Sequence, residues 1–373
     1  MFKNYFRPTW IEVDLSKIRS NVSFLKSKVA NNTQLMAVVK ADAYGHGAVS
    51  VARACIEAGA ERLGVATIEE AIELRESGLV CSLHLLAEPT DGCEDELLRY
   101  KIIPAIYTLE TAKRISDYFV LEDRKCDAMI KIDTGMNRVG IPVERCEAIC
   151  EKIFELQGLY IIGAMTHFAA ADSDPEFTAF QLQRFQSAIF KLRSRGFDLK
   201  LSSAANSAAI LRLPDSHLDM VRAGIAIYGL SPFKDSSVSL LKPALTWKTR
   251  ISFIKSLEAG EPVSYGMTFR TRLPSVIATL PVGYADGYGR VLSDRASVIV
   301  KNRKVRVVGT VTMDQIMIDV SSVLGPKIGD EVLLIGENGD LSVSTDELAE
   351  LSGTINYEIV TRIGKRVPRI YVS

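Results

Sequence analysis

Short apolar runs recur through the first two-thirds of the chain, at residues 35–39, 63–66, 83–86, 102–107, 128–132, 159–165, 199–202 and 218–221. Each is the length of a buried strand and too short for a buried helix. Amphipathic stretches lie between them, such as Ile68-Glu69-Glu70-Ala71-Ile72-Glu73-Leu74-Arg75 and the long segment 177–192. Strands that each lead into a helix predict an α/β fold, a closed (β/α)8 TIM-like barrel. An open doubly wound sheet is the competing arrangement, but no GxGxxG follows the first strand. Ahead of the barrel, Thr9-Trp10-Ile11-Glu12-Val13-Asp14 alternates and reads as an edge strand. Asp14 can then cap a helix with Ile18, Val22, Leu25 and Val29 on one face.

After about residue 240 the period changes. Runs at 251–254, 275–280, 296–300, 304–308, 316–320 and 332–335 are separated by turns rather than helices. One short helix is expected near 344–351, where Ser344 and Thr345 precede Asp346 and Glu347. The expected division is a barrel domain over 1–240 and a mostly β domain over 241–373, with the first strand packing against the second domain.

Charge and cysteine usage narrow the function classes. Lys plus Arg and Asp plus Glu both number 45 in 373 residues, so no field of one sign invites nucleic acid or an acidic membrane. Apolar runs are too short to span a bilayer, and the N-terminal residues lack a signal-peptide core, which together suggest a cytoplasmic protein. Cys55, Cys81, Cys93, Cys126, Cys146 and Cys150 form no CxxC pair and read as reduced thiols, mostly small core residues. The histidines, His46, His84, His167 and His217, have no zinc spacing, so no metal is expected.

Lys40 is the most informative single residue. It leaves the first barrel strand, where dry neighbours would lower the pKa of its ammonium and free the amine as a base or Schiff-base nucleophile. The bland alternative is a lysine snorkelling into water. The glycines that follow suggest a tight turn, with Tyr44 bringing a hydroxyl close. Lys131, Asp133, Asn137 and Arg138 fall at the end of the fifth strand, His167 at the sixth, Asn206 and Ser207 after the seventh, and Arg222, Gly224 and Ile225 after the eighth. In a barrel of this kind the carboxyl ends of the strands build the active site.

The segment Val38-Val39-Lys40-Ala41-Asp42-Ala43-Tyr44-Gly45-His46-Gly47 resembles the pyridoxal 5′-phosphate (PLP) lysine segment of the alanine racemases. So do Lys131-Ile132-Asp133-Thr134-Gly135-Met136-Asn137-Arg138-Val139-Gly140, Asn206-Ser207-Ala208-Ala209, Val221-Arg222-Ala223-Gly224-Ile225-Ala226-Ile227-Tyr228-Gly229, Tyr265-Gly266, Gly283-Tyr284-Ala285-Asp286-Gly287, Val311-Thr312-Met313-Asp314 and Asn356-Tyr357-Glu358. The match runs in order to the last residues.

The resemblance implies a homodimeric PLP enzyme that interconverts L- and D-alanine and supplies D-alanine for peptidoglycan. Lys40 would carry PLP. Tyr44, Asn206, Ser207, Gly224, Ile225 and Tyr357 would surround its phosphate. Arg222 would face the pyridine nitrogen, which stays unprotonated because an arginine does not give up its proton. The ring is then a weaker electron sink, which limits side reactions. Lys40 and Tyr265, the latter from the second subunit together with Met313, would be bases on opposite faces of Cα. His167 and Arg222 would ease ionisation of Tyr265. Arg138 and the backbone of Met313 would hold the substrate carboxylate, and Arg138 would also contact the PLP phenolic oxygen. Lys131 would be carbamylated and orient Arg138; the alternative is a plain lysine paired with Asp133. Tyr284 and Tyr357 would narrow the entrance.

One departure stands out. The family often places a histidine shortly before the Asn-Ser of the seventh strand, behind the pyridine-facing arginine; here Leu201-Ser202-Ser203-Ala204-Ala205-Asn206 has none. Competing expectations are a broader racemase acting on serine or larger residues, and a PLP decarboxylase, which would need an acid where Arg222 stands.

Overall fold

The computed structural model describes residues 6–234 and 240–373. It contains two compact units: one takes the described residues of Ser16–Ala43 and Ala48–Pro243, the other those of Met1–Leu15, Tyr44–Gly47 and Ala244–Ser373.

The first unit is a nearly closed parallel barrel. Its strands are Gln34–Val38, Arg62–Val65, Ser82–Leu85, Ile102–Ile106, Cys126–Asp133, Leu159–Met165, Leu201–Ser203 and Met220–Ala223. The eighth pairs back onto the first, with Val221 opposite Leu35. Between the seventh and eighth the seam is held by Asp219 N–H donating to Ser202 O at 3.2 Å and Arg222 N–H to Ala205 O at 2.9 Å. Met36, Met129, Met165 and Met220 fill the lumen with Ile103, Ala105 and Leu201. Unbranched methionines adapt to the irregular gaps left by inward-facing positions. At Gly163 a Cβ would come within 2.2 Å of Leu201 O, so the sixth and seventh strands approach as they do only because a glycine stands there.

The helices start where the sequence supplies caps. Thr67 and Glu70 form a capping box on Ile68–Glu76, Thr108 caps Leu109–Leu121, and Asp174 caps Pro175–Ser194. The last of these buries Gln181, Leu182, Phe185, Ile189 and Leu192.

The second unit is mostly β. One sheet runs Arg303–Arg306, Ser297–Val300, Glu331–Asn338, Leu245–Arg250, Thr9–Asp14, Arg369–Val372. The edge strand expected at Thr9–Asp14 is thus internal: antiparallel to Leu245–Arg250 and parallel to Arg369–Val372. Its burial on both faces comes from partners far along the chain that a local pattern does not reveal. A smaller sheet joins Phe253–Leu257, Ser275–Leu280 and Ile316–Asp319. Ser344 caps the helix Thr345–Ser352, and a second helix, Asn356–Thr361, follows. Trp247 and Tyr288 pack edge to face at 5.9 Å in this unit's core. Among the described residues, no helix is long and apolar enough to cross a membrane.

Candidate active site

The turn after Lys40 is not made by its glycines alone. Ala41, Asp42, Ala43 and Tyr44 have φ of 52°, 52°, 51° and 52°, a left-handed helical turn built from non-glycine residues. Each such residue costs roughly 1–2 kcal/mol, so the surroundings must over-determine the turn. Glu70 Oε1 accepts from Ala41 N–H at 2.6 Å, Asp42 Oδ1 accepts from Ala48 N–H at 2.8 Å, and Ala43 N–H donates to Val39 O at 2.9 Å. Tyr228 Oη, from the turn after the eighth strand, donates to Val38 O at 2.8 Å and fixes the strand that ends beside Lys40. Burial lowers the pKa of Lys40, the Arg138 guanidinium lowers it further, and Glu70 opposes both.

Arg222 lies inside the eighth strand rather than after it, because that strand begins two residues later than the apolar run suggests. Its guanidinium is buried and spends its donors on Ser203 Oγ at 2.6 Å, Thr166 O at 2.6 Å, Ala204 O at 3.2 Å and His167 Nδ1 at 3.1 Å. A guanidinium only donates, so Nδ1 of His167 accepts and the ring proton resides on Nε2. Burial, then the charges of Arg222, Arg138, Lys131 and Lys40, hold the pKa of His167 well below its ordinary value, so the ring is neutral. Ser203 supplies the support behind Arg222 for which the sequence offered no histidine.

Gln181 is a second residue that sequence reasoning missed. Buried on the helix Pro175–Ser194, it donates to Thr134 Oγ1 and His167 O, each at 3.2 Å, and accepts from Ala169 N–H at 2.9 Å. It ties together the exits of the fifth and sixth strands. Neither Ser203 nor Gln181 belongs to a local motif; only three-dimensional pairing exposes them.

Lys131, Asp133, Arg138 and His167 line one small cleft. Lys131 Nζ donates to Leu86 O at 3.0 Å and forms no ion pair with Asp133, whose Oδ1 instead accepts from the N–H groups of Gly135 and Asn137 at 2.9 and 3.1 Å. Burial and then the charges of Arg222, Arg138 and Lys40 hold the Lys131 ammonium down to about 8, against Asp133. Asn206 caps the helix Ser207–Arg212. Ser207 Oγ accepts from Gly224 N–H at 2.8 Å and Ala226 N–H at 3.4 Å, which orders the turn containing Ile225.

The remaining candidates belong to the β unit. Tyr265, Met313 and Tyr284 are 74%, 52% and 43% exposed, high for such side chains unless something covers them. Their loops are joined: Thr310 Oγ1 donates to Tyr265 O at 2.7 Å, Tyr284 N–H to Thr312 O at 3.0 Å, and Ala285 N–H to Met313 O at 3.1 Å. Ser264, Gly266 and Met267 flank Tyr265 with φ of 65°, 74° and 53°. The fully buried carboxylate of Asp286 clamps the cluster. It accepts from the two terminal guanidinium nitrogens of Arg7 at 2.5 and 2.6 Å and from Gly283 N–H at 2.8 Å, and it forms an ion pair with Arg366 Nε at 3.0 Å. Tyr44 and Tyr357 sit together in this unit with ring centroids 6.1 Å apart.

Comparison with known proteins bears on the whole chain. The family model for the alanine racemase N-terminal domain matches residues 13–232, and that for the alanine racemase C-terminal domain matches 244–371. The alanine racemase of Halothermothrix orenii is 44% identical over 373 residues, covering 100% of this chain and 98% of that protein. The alanine racemase structure from Clostridium difficile superposes with a TM-score of 0.93 at 37% identity, over 99% of this chain and 97% of the other. That of Bartonella henselae, solved with covalently bound pyridoxal phosphate, superposes with a TM-score of 0.88 at 32% identity, over 98% and 99%. With both of its units matched in order and over nearly their full length, the chain belongs to the alanine racemase family of isomerases.

Proposed function

We propose that this chain interconverts L- and D-alanine with PLP carried on Lys40, and that Lys40 and Tyr265 of the partner subunit are bases on opposite faces of the substrate Cα. The observation that carries this reading is the rim of the barrel, where Lys131 and Arg138 line one cleft with Asp133 and His167, and Arg222 bonds His167 at 3.1 Å. That donor set suits a phosphate ester, a phenolic oxygen and a substrate carboxylate. The cofactor, when bound, supplies an electron-withdrawing ring that acidifies the substrate Cα–H.

The chain's own residues supply the rest. Ser207, whose Oγ accepts from Gly224 N–H and keeps its own proton to donate, would hold the phosphate with the N–H of Ile225 in the turn that follows. Arg222, whose partners among the described residues are a hydroxyl, two carbonyls and an imidazole, would face the ring nitrogen without giving it a proton. Arg138, exposed at the edge of the cleft, would hold the substrate carboxylate together with the backbone of Met313 of the partner subunit. The lowered pKa of Lys40 suits a group that must take up and release a proton near neutral pH. A tyrosine starts near roughly 10 and needs help to ionise. His167 provides it: with Nδ1 occupied by Arg222, its Nε2–H is left to donate to the oxygen of the partner subunit's Tyr265. The exposure of Tyr265, Met313 and Tyr284 supports their use by a second copy, and Tyr284 would narrow the entrance there.

Lys131 at about 8 is the right state for carbamylation, because only the neutral amine attacks carbon dioxide. The N–C bond forms, a proton leaves, and the resulting anion can orient Arg138. Supply of D-alanine for peptidoglycan in the cytoplasm belongs to the same reading.

The test is chiral chromatography of L-alanine incubated with protein and PLP in heavy water. D-alanine with deuterium at Cα is expected. Carbon dioxide release without D-alanine would point to decarboxylation instead, and turnover of serine in preference to alanine to a racemase of other range.

A further inference from the structure

Glu70 bridges the exits of the first two barrel strands. Its Oε2 accepts from Ala66 N–H at 2.8 Å and Thr67 N–H at 3.4 Å, while Oε1 accepts from Ala41 N–H at 2.6 Å. A capping-box glutamate requires only the bond to the N-cap residue Thr67. The reach to Ala41, 29 residues earlier, serves another purpose. Ala41 opens the run of four left-handed residues, whose cost must be offset by bonds from outside the turn. Asp42 cannot do this for Ala41, since its carboxylate is turned to Ala48 N–H. The charged groups acting on Lys40 are Arg138 and Glu70, and Lys131 and His167 sense Lys40 in turn. Glu70 is the carboxylate of that set.

We propose that Glu70 is a positioning residue for Lys40: it pins the left-handed turn through Ala41 and supplies the negative charge that steadies the lysine's ammonium against the guanidinium of Arg138. This rests on the reading of Lys40 as the cofactor-bearing base. Two variants compare the tether and the charge. Glu70→Gln keeps the length and removes the charge, and its amide nitrogen cannot accept a bond. Glu70→Asp keeps the charge but is too short to span Ala41 and Ala66 together.

Two readouts on the full-length chain freed of cofactor test this without using activity. One is hydrogen exchange at the amides of Ala41 and Ala66. The other is the pH midpoint for acylation of the Lys40 amine, followed by peptide mapping. In Glu70→Gln the single amide oxygen can accept at one exit only, so exchange at Ala41 or Ala66 should rise about tenfold, and the Lys40 midpoint should fall by about one unit, the size of a single nearby charge. In Glu70→Asp, exchange should rise while the midpoint stays. Unchanged exchange in both variants would overturn the tether, and an unmoved midpoint in Glu70→Gln would overturn the charge. If Glu70→Gln does not fold, Glu70→Asp decides by its exchange: faster exchange upholds the tether and wild-type exchange rejects it. Borohydride trapping of the cofactor on a lysine other than Lys40 would sink the parent reading, and neither labelling nor exchange depends on that result.

Discussion

In the barrel, Arg222 is 5% exposed and spends its donors on Ser203, Thr166, Ala204 and His167. In the β unit, Tyr265 is 74% exposed, and only its backbone is held, by Thr310. The barrel thus buries its chemistry and fixes side-chain atoms. The β unit fixes loops, through Asp286, and leaves the side chains presented to solvent. A rim with a surplus of cationic side chains, from buried Arg222 and Lys131 to exposed Arg138, asks for anions. An exposed tyrosine beside an exposed methionine, on loops clamped by a buried carboxylate, asks for a surface to meet. On the proposed reading, each region contributes one of the two bases.

The comparison can be broken at its strongest point first. Lys40→Ala should lower racemisation by about ten-thousandfold in both directions, since a general base supplies up to that much. Wild-type turnover would end the reading. Tyr265→Phe should lower racemisation about a thousandfold in both directions too, because enantiomers have equal free energy and the two kcat/KM values must remain equal. It should keep solvent exchange at Cα of one enantiomer, the one Lys40 serves. Retained exchange of both, or loss of both, would contradict the two-base assignment.

A smaller effect separates the two regions by stability. Asp286→Ala leaves Arg7 and Arg366 without their shared carboxylate and should cost about 3 kcal/mol. Trp10 and Trp247 both lie in the β unit, so urea unfolding followed by tryptophan fluorescence reads this unit. An unchanged midpoint would show that the clamp is dispensable. Ser203→Ala should leave that transition alone yet lower kcat/KM about tenfold, by loosening one bond to Arg222. The smallest effect concerns Lys131. With its ammonium held near 8, roughly a quarter of the amine is neutral at pH 7.5. Isotopically labelled bicarbonate should therefore give a carbamate signal that Lys131→Ala lacks. The signal should grow as pH rises through 8 and fade below it, where the ammonium cannot react. A signal that survives the substitution would remove Lys131 from the account.

Much of this was legible in the chain. Continuous apolar runs marked the barrel strands because strands buried on both faces leave few polar positions, and Lys40 and His167 followed such runs. The eighth strand was placed two residues early because apolar Leu218, ahead of the polar Asp219, extends the run before Met220, where the strand begins. The left-handed turn at Ala41–Tyr44 gives no local signal, since alanine disfavours it and only Glu70 and Asp42 impose it. Glu70, Ser203, Gln181 and Asp286 were unreadable for one reason: each acts through a partner that the sequence places far away. The strands Leu245–Arg250 and Arg369–Val372 were missed likewise, because they meet Thr9–Asp14 across more than half the chain.

The most direct test of the account is complementation between two inactive proteins. Lys40→Ala and Tyr265→Phe are mixed under conditions that allow subunit exchange, and racemisation is measured. If each site takes its lysine from one copy and its tyrosine from the other, a mixed dimer contains one intact site. Random exchange should then restore roughly a quarter of wild-type turnover. No recovery, with mixed dimers demonstrated by mass, would contradict a site shared between copies.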